Sequence, residues 1–534
     1  MEHSDDKPPK AKIESDSQSS YSEGVGSTIS IALPSAITTG YTTPDNCTFK
    51  EEIPREKLVQ DQKFQWSSLW RPAEVNPATG KSFTFPLLRF WDPYSTAFWL
   101  ATLGFFVAFF SWFAFAPLMP EAVKKDLKLS NDQITNSNLA SLGGTAIVRL
   151  ITGPACDKFG PRKVLVTLLI LGAIPSGLAA LVKNIQGLET IRFFISILGG
   201  TFVPTQAYTT AFFDKTIVGT ANAFSGGWGN LGGGVTVISM IGVYERFAAA
   251  GYSPHLSWRL CFLVVPVPCL LVVAAVILLL GKDHPAGKWS NRNENDTPLA
   301  EKNETSVNTS QPEQQTVAML LGVFSDLRVW MCAICYCLTF GLETAMDAAL
   351  PGLINTLFAS DSFSSIDAAY VASTYGLLNL FARPLGGIVS DILYARFGLR
   401  AKVYWLLATA SLQGVSMIGL GLYINHSQAS IGGVVGFIVL IAFVGFAANG
   451  ACYSVYCHLR PTNNGAVAGI VGASGNVGGI FYTLIFKYQA GKRIAPSPSL
   501  PGGSNSLGTK FWISGIVNAV AILPLFFVSL GDAV

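Results

Sequence analysis

Charge is scarce in this sequence. Asp, Glu, Lys and Arg make up 13% of its 534 residues, against 50% hydrophobic ones. A soluble domain carries roughly a quarter charged residues, so an ordinary soluble domain is excluded. The formal net charge is only +3 and no basic block stands out, which removes the electrostatic footprint of a nucleic-acid binder. There is no G-x-x-x-x-G-K-[ST] loop, no H-E-x-x-H pair and no nucleophile elbow. Neither nucleotide-driven nor covalent catalysis is therefore expected, the chain is not read as an enzyme, and no cofactor is implied. Cys332, Cys335 and Cys337 are closely spaced but lie in an apolar run without His or acidic partners at ligand spacing. They read as buried thiols, not metal ligands. The first 30 residues are polar, so no signal peptide is expected there.

What the sequence has in abundance is apolar runs of about 20 residues, the length that crosses a bilayer. Six are expected near 94–118, 136–152, 163–183, 190–212, 217–243 and 257–281, and six more near 327–349, 366–390, 402–424, 431–456, 464–487 and 509–530. Residues 1–60 are rich in Ser, Thr, Lys and acids and read as a disordered cytosolic tail. Residues 61–93 mix Trp66, Trp70, Phe83, Phe85, Phe90 and Trp91 with charges, which suits a segment at the membrane interface. Residues 282–326 read as a polar cytosolic linker between bundles at 94–281 and 327–534. The expected fold is an all-α membrane protein of twelve transmembrane helices in two six-helix, pseudo-symmetric bundles.

The halves repeat each other. Arg149, Gly153 and Asp157 recur as Arg383, Gly387 and Asp391, an offset of 234. The stretch Ala223 to Gly234, with six glycines and Asn230, recurs as Gly472 to Gly479 with Asn476, an offset of 246. Parallel six-helix repeats with a site near the midplane are the architecture of major facilitator transporters. The G-x-x-x-D-x-x-G-x-R-K loop from Gly153 through Asp157 and Arg162 to Lys163 resembles that superfamily's loop between helices two and three. It is expected, with Gly387 and Asp391, to act as a cytosolic gate in which the charges pair or face helix dipoles.

Arg149 and Arg383 lie inside the spans, where a charge costs several kcal/mol and survives only beside a cavity or a partner. Each either pairs with an intramembrane acid, Glu343 or Asp347, or forms half of a positive site for an anion. A guanidinium offers a rigid fork of donors that a small planar oxyanion can engage twice. The glycine stretches are either packing faces or places where a backbone approaches a ligand. Gly229 and Gly475 would admit the approach, and Asn230 and Asn476 would supply polar contacts.

Paired arginines in helices two and eight, with paired glycine–asparagine signatures in helices five and eleven, resemble the nitrate/nitrite porter family over residues 61–534. The linker and the Trp66 to Phe90 region resemble fungal members. The resemblance implies that Arg149 and Arg383 clamp the oxyanion while Phe109, Phe202, Tyr336 and Phe340 flank it. Phe110 rivals Phe109, and ordinary helix packing is an alternative for Phe109 and Phe202. Tyr336 and Phe340 are four residues apart and share a helix face.

Glu343 and Asp347 share a face one turn further on, and acids in a membrane helix are candidates for a proton relay; Asp347 could also lie solvated at the outer mouth. Together these observations suggest a plasma-membrane, proton-coupled nitrate importer, with nitrite as a further substrate, embedded in the lipid bilayer with both termini cytosolic. A nitrate/nitrite exchanger and a nitrate receptor on a transporter scaffold are the other classes.

Overall fold

The computed structural model describes residues 37–42, 48–53, 66–290 apart from 78, 321–426, 429–489, 491, 493–494 and 504–528. Most of the expected tail and the middle of the linker, which carries Asn-x-Ser/Thr sequons at Asn295, Asn303 and Asn308, lie outside the described residues. Inside the tail one departure is visible. Ile37–Thr42 pairs antiparallel with Thr48–Ile53, two short stretches rich in β-branched and aromatic residues.

Apart from a two-residue pairing of Arg493–Ile494 with Ser504–Asn505 and a few isolated bridges, the remaining regular structure among the described residues is helical. The helices that matter here are α1 (Pro93–Trp112), α2 (Asn131–Phe159), α3 (Pro161–Leu178), α4 (Ile185–Ile195), α5 (Phe202–Phe212), α6 (Val218–Ala249), α7 (Pro254–Val264) and α8 (Pro266–Leu280). After the linker come α9 (Leu327–Phe358), α10 (Ser365–Leu377), α11 (Ala382–Phe397), α12 (Leu399–His426), α13 (Ile431–Tyr456), α14 (Asn464–Tyr488) and α15 (Thr509–Ile522). Local signals set several ends. Asp92 caps α1 through the Tyr94 amide, followed by Pro93 at the first helical position. Ser130 and Gln133 close a capping box on α2. Gly160, at φ 92°, ends α2 in a conformation that Cβ disfavours, and Pro161 starts α3 at once.

Among the described residues, ten helical stretches are long and apolar enough to cross a membrane, fewer than the twelve expected. The two outside that set have physical reasons. The stretch 185–212 is interrupted by the 3-10 turn Ser196–Thr201. In α6, glycines and Asn230 stand where a lipid-facing helix would carry leucine. That composition belongs to an inner helix, and α6 packs against α1, α11 and α13.

The packing repeats across the linker. α1 lies on α6 as α9 lies on α14, and α3 lies on α8 as α12 lies on α15. The helices before and after the linker meet mainly where α2 runs along α14 and where α11 and α13 run along α6. In the segment 66–92, Trp70, Phe90 and Trp91 are exposed, while Phe85 is buried against Phe98, Phe213 and Phe224.

Candidate functional site

α2 and α11 each carry one arginine, and both side chains are fully buried. Each reaches across the linker symmetry to the opposite glycine stretch. Arg149 Nη1 donates to Gly472 O in α14 at 2.7 Å, and Arg383 Nη1 donates to Gly226 O in α6 at 3.4 Å. The same two carbonyls also accept from the signature asparagines, Asn476 Nδ2 at 3.2 Å and Asn230 Nδ2 at 2.7 Å. The asparagines thus bond back one turn along their own helices and share an acceptor with the arginine of the other half. Glycine is needed beside them. A Cβ on Gly229 would collide with the Phe105 ring, and one on Gly475 would come within 2.7 Å of Tyr336 and 2.8 Å of Phe340.

The remaining guanidinium atoms differ between the two sites. Arg149 Nε donates to Gly199 O at 2.9 Å, and its Nη2 has no hydrogen-bond partner among the described residues. Arg383 Nη2 donates to Glu343 Oε2, and its Nε has no such partner. Of the two possibilities open from sequence, Arg383 therefore pairs with an acid, while Arg149 pairs with none among the described residues. Glu343 is buried and also accepts from Asn449 Nδ2 at 2.9 Å and Asn379 Nδ2 at 3.3 Å. Asn449 is oriented in turn by Thr339 Oγ1, which donates to its Oδ1 at 2.7 Å. Asp347 is half-buried one turn on, with no hydrogen bond or ion pair recorded among the described residues.

A column of rings lies between the arginines. Phe340 has the Arg149 guanidinium at 5.3 Å and that of Arg383 at 5.8 Å from its centroid, within the range of cation–π attraction. Tyr336 stacks on Phe340 at 4.9 Å and on Phe202 at 5.7 Å, and Phe202 faces Arg149 at 4.9 Å. Phe109 is placed one ring behind. Its ring neighbours are Phe105, Trp112 and Phe113, and it is Phe105, one turn earlier, that contacts Phe202. Tyr453, absent from the sequence expectation, meets Arg383 at 5.9 Å and bonds the Tyr336 hydroxyl at 2.9 Å. Asn379, Asn449 and Tyr453 were missed because neutral polar residues in apolar helices look like packing. Asn449 and Tyr453, four apart on α13, offered the only signal.

The loop motifs lie at one end of the same two seams. Asp157 accepts the amides of Gly465 at 2.9 Å and Ala466 at 2.8 Å, the first turn of α14. Asp391 accepts Thr220 N at 2.6 Å and Thr220 Oγ1 at 2.8 Å at the start of α6. Each carboxylate therefore sits on the positive end of a helix in the other half. Gly153 and Gly387 allow the approach. A Cβ would meet Gly465 O at 2.7 Å in one and Gly219 O at 2.5 Å in the other. Arg162 turns elsewhere: it pairs with Asp283 at 2.6 Å and bonds the carbonyls of Leu278 and Gly281 at the end of α8, so it stays within its own half. Lys402 ties Asp391 at 2.8 Å to His458 at 3.0 Å. Desolvation, then Lys402 and Lys215, push the His458 imidazole well below its usual range, which leaves it a neutral acceptor.

Among the described residues no group of three or more His, Cys, Asp or Glu side chains is placed to hold a metal ion. The arrangement can bind and release a small anion between forked donors, and it can hold a carboxylate against one of them.

Comparison with known proteins agrees with this architecture. Residues 101–483 match the Major Facilitator Superfamily family model. The chain is 32% identical over 404 residues to "High affinity nitrate transporter 2.7" of Arabidopsis thaliana, covering 75% of this chain and 79% of that one. It is 29% identical over 406 residues to "Probable nitrate/nitrite antiporter NarK1" of Thermus thermophilus, covering 73% and 84%. Among solved structures, the proton:xylose symporter XylE superposes with a TM-score of 0.62 at 16% identity, over 82% of this chain and 96% of that one, a likeness of fold alone. The chain is a multi-pass membrane protein that belongs to the nitrate/nitrite porter family of the major facilitator superfamily, a family of transporters and not of enzymes.

Proposed function

We propose that this protein imports nitrate, and nitrite as a second substrate, across the plasma membrane together with protons. The observation that carries the reading is the pair of fully buried guanidiniums, each with one nitrogen that has no hydrogen-bond partner among the described residues: Arg149 Nη2 and Arg383 Nε. A buried charged donor without a partner costs at least ~1–3 kcal/mol, and a planar oxyanion between the arginines would satisfy both. With Glu343 ionised, the two guanidiniums keep one uncompensated positive charge, which favours a monovalent anion.

Proton coupling follows from energetics. Nitrate entering an inside-negative cell works against about 2.3 kcal/mol per 100 mV. One proton cancels that term and a second makes the potential a driving force. Glu343 is the carrier in this reading. Ionised, it occupies Arg383; protonated, it releases Arg383 to the anion, so proton and nitrate bind cooperatively. Phe340 and Tyr336 flank the anion, with Phe202 behind them, while Phe109, Asn230 and Asn476 shape the site at one remove. Asp347 is the second candidate for the proton.

Twelve spans in two six-helix bundles would rock about this midplane site. Asp157 and Asp391 would close its cytosolic side, with both termini and the linker cytosolic and the 61–93 segment at the membrane interface. The test is electrical. Nitrate should evoke a current that grows as external pH falls, with nitrite behaving alike and chloride silent. A nitrate response indifferent to pH would favour exchange, the activity named for the Thermus thermophilus relative.

A further inference from the structure

Between α10 and α11 the chain makes one 3-10 turn, Leu378–Leu380, and Asn379 sits buried within it. A short 3-10 break in a long helical stretch re-aims a side chain and often marks a functional position. Packing on the first glycine stretch holds the turn in place. A Cβ on Gly227 would lie 2.6 Å from Asn379 O, and Trp228 Nε1 donates to Leu380 O at 3.2 Å. The Asn379 side chain points at Glu343: its Nδ2 donates to Oε1 at 3.3 Å. Its Oδ1 is buried and accepts from nothing among the described residues. A carboxamide carries a donor and an acceptor related by half a turn, and here only one is used.

We propose that Asn379 is the positioning residue that receives the hydrogen bond of protonated Glu343, rotating its amide to do so and thereby freeing Arg383 for the anion. The proposal rests on the proton-coupled reading above. One proton taken from water on the outer side bonds to Glu343 Oε1, and the carboxylate becomes a neutral acid that needs an acceptor for its O–H. Asn449 is committed, with its Oδ1 held by Thr339 and its Nδ2 on Oε2. Turning Asn379 breaks only the long 3.3 Å bond and presents the idle Oδ1. Neutral Glu343 then no longer holds Arg383 Nη2 by charge. That Nη2 joins the idle Nε on the same edge of the guanidinium to form a fork for the oxyanion. On the inner side Glu343 returns its proton to water, Asn379 turns back, and Arg383 is reclaimed as the anion leaves.

Other ionisable groups surround this point. They are Arg149 on α2, Tyr336 and Asp347 on α9, Tyr375 on α10, Arg383 on α11 and Tyr453 on α13. Among the described residues none of them accepts a hydrogen bond from Glu343.

The test is the pH profile of nitrate uptake in proteoliposomes. Asn379→Leu removes both the weak donor to ionised Glu343 and the acceptor for protonated Glu343. If the acceptor role dominates, the midpoint moves about one pH unit toward acid, the worth of one hydrogen bond. Combined with Glu343→Gln, Asn379→Leu should cause no further shift. A midpoint that stays, or moves toward alkali, overturns the proposal, because a donor-only or packing role predicts that result. Infrared difference spectra of the unmodified protein between high and low pH give a second readout that does not depend on the variant folding. A protonated-carboxyl band should appear together with an asparagine amide change, both lost in Glu343→Gln; the carboxyl band without the amide change overturns it. If Glu343→Gln leaves the pH profile intact, the proton-coupled reading itself fails; if Glu343→Gln abolishes it and Asn379→Leu leaves it unmoved, only the role of Asn379 fails.

Discussion

Arg149→Lys isolates the fork from the charge. The guanidinium uses Nε on Gly199 O at 2.9 Å and Nη1 on Gly472 O at 2.7 Å, keeps Nη2 idle, and lies 4.9 Å from the Phe202 centroid. Those carbonyls belong to different halves, so one side chain joins the halves and, in the proposed site, would also present a donor to the anion. An ammonium has a single nitrogen and cannot span both carbonyls while reaching the anion. The loss is one charge-assisted hydrogen bond, about 1.5–3 kcal/mol, together with part of a cation–π contact of about 0.5–1 kcal/mol. At about 1.4 kcal/mol per tenfold, that weakens nitrate binding roughly thirty- to several-hundred-fold. The assay is initial uptake against nitrate concentration in vesicles with matched protein levels. Because Glu343 sits on Arg383 and not on Arg149, the pH dependence of the residual uptake should persist in Arg149→Lys and be distorted in Arg383→Lys. Wild-type uptake kinetics in Arg149→Lys would refute the reasoning.

Three further outcomes are expected. Gly475→Leu should abolish transport, since even a Cβ would press on Tyr336 and Phe340 at 2.7–2.8 Å; a freely transporting Gly475→Leu protein would contradict the close packing. Asp157→Asn should loosen the contact with the first turn of α14, read as faster maleimide labelling of the neighbouring buried Cys156 in inside-out vesicles, and unchanged labelling would count against the gate. At the opposite end of the N-terminal half, burial opposes the charge of Asp126, but hydrogen bonds from Arg259, His255 and Trp258 outweigh it and hold the carboxyl below its ordinary range. Its contribution is then present above the ordinary Asp value and lost as pH falls through the lowered one. Asp126→Asn should therefore lower the melting temperature of the purified protein at neutral pH, and the gap should narrow below about pH 3.9.

The sequence made the charged parts of the site legible and left the neutral ones dark. Arg149, Arg383 and Glu343 stand out because a charge in an apolar run demands a reason. Their partners do not, since a backbone carbonyl such as Gly472 O has no letter in the sequence. The repeat offsets pointed to matched Arg and Asn residues, but not that each arginine reaches the other half. Sequence leaves Phe109 and Phe110 as rivals because α1 is apolar on every side and no polar face fixes its rotation; the ring that reaches Phe202 is Phe105. In the same way α6 reads as a span from its length, while its glycines, which suit it to the interior, lower its apolar character. Asn425, which opens an Asn-His-Ser sequon at the end of α12, is tied down by packing: its side chain accepts from Gly508 N at 2.8 Å and donates to Thr509 at the start of α15.

The central claim is that Glu343 and Arg383 exchange partners, a proton for the acid and nitrate for the arginine. It is tested most directly by following protons during nitrate entry into proteoliposomes loaded with a pH-sensitive dye and given no imposed gradient. The account predicts that external nitrate acidifies the lumen of wild-type vesicles. Glu343→Gln vesicles should exchange labelled nitrate without any proton signal. Wild-type vesicles that take up nitrate with no acidification, or Glu343→Gln vesicles that acidify like the wild type, would contradict it.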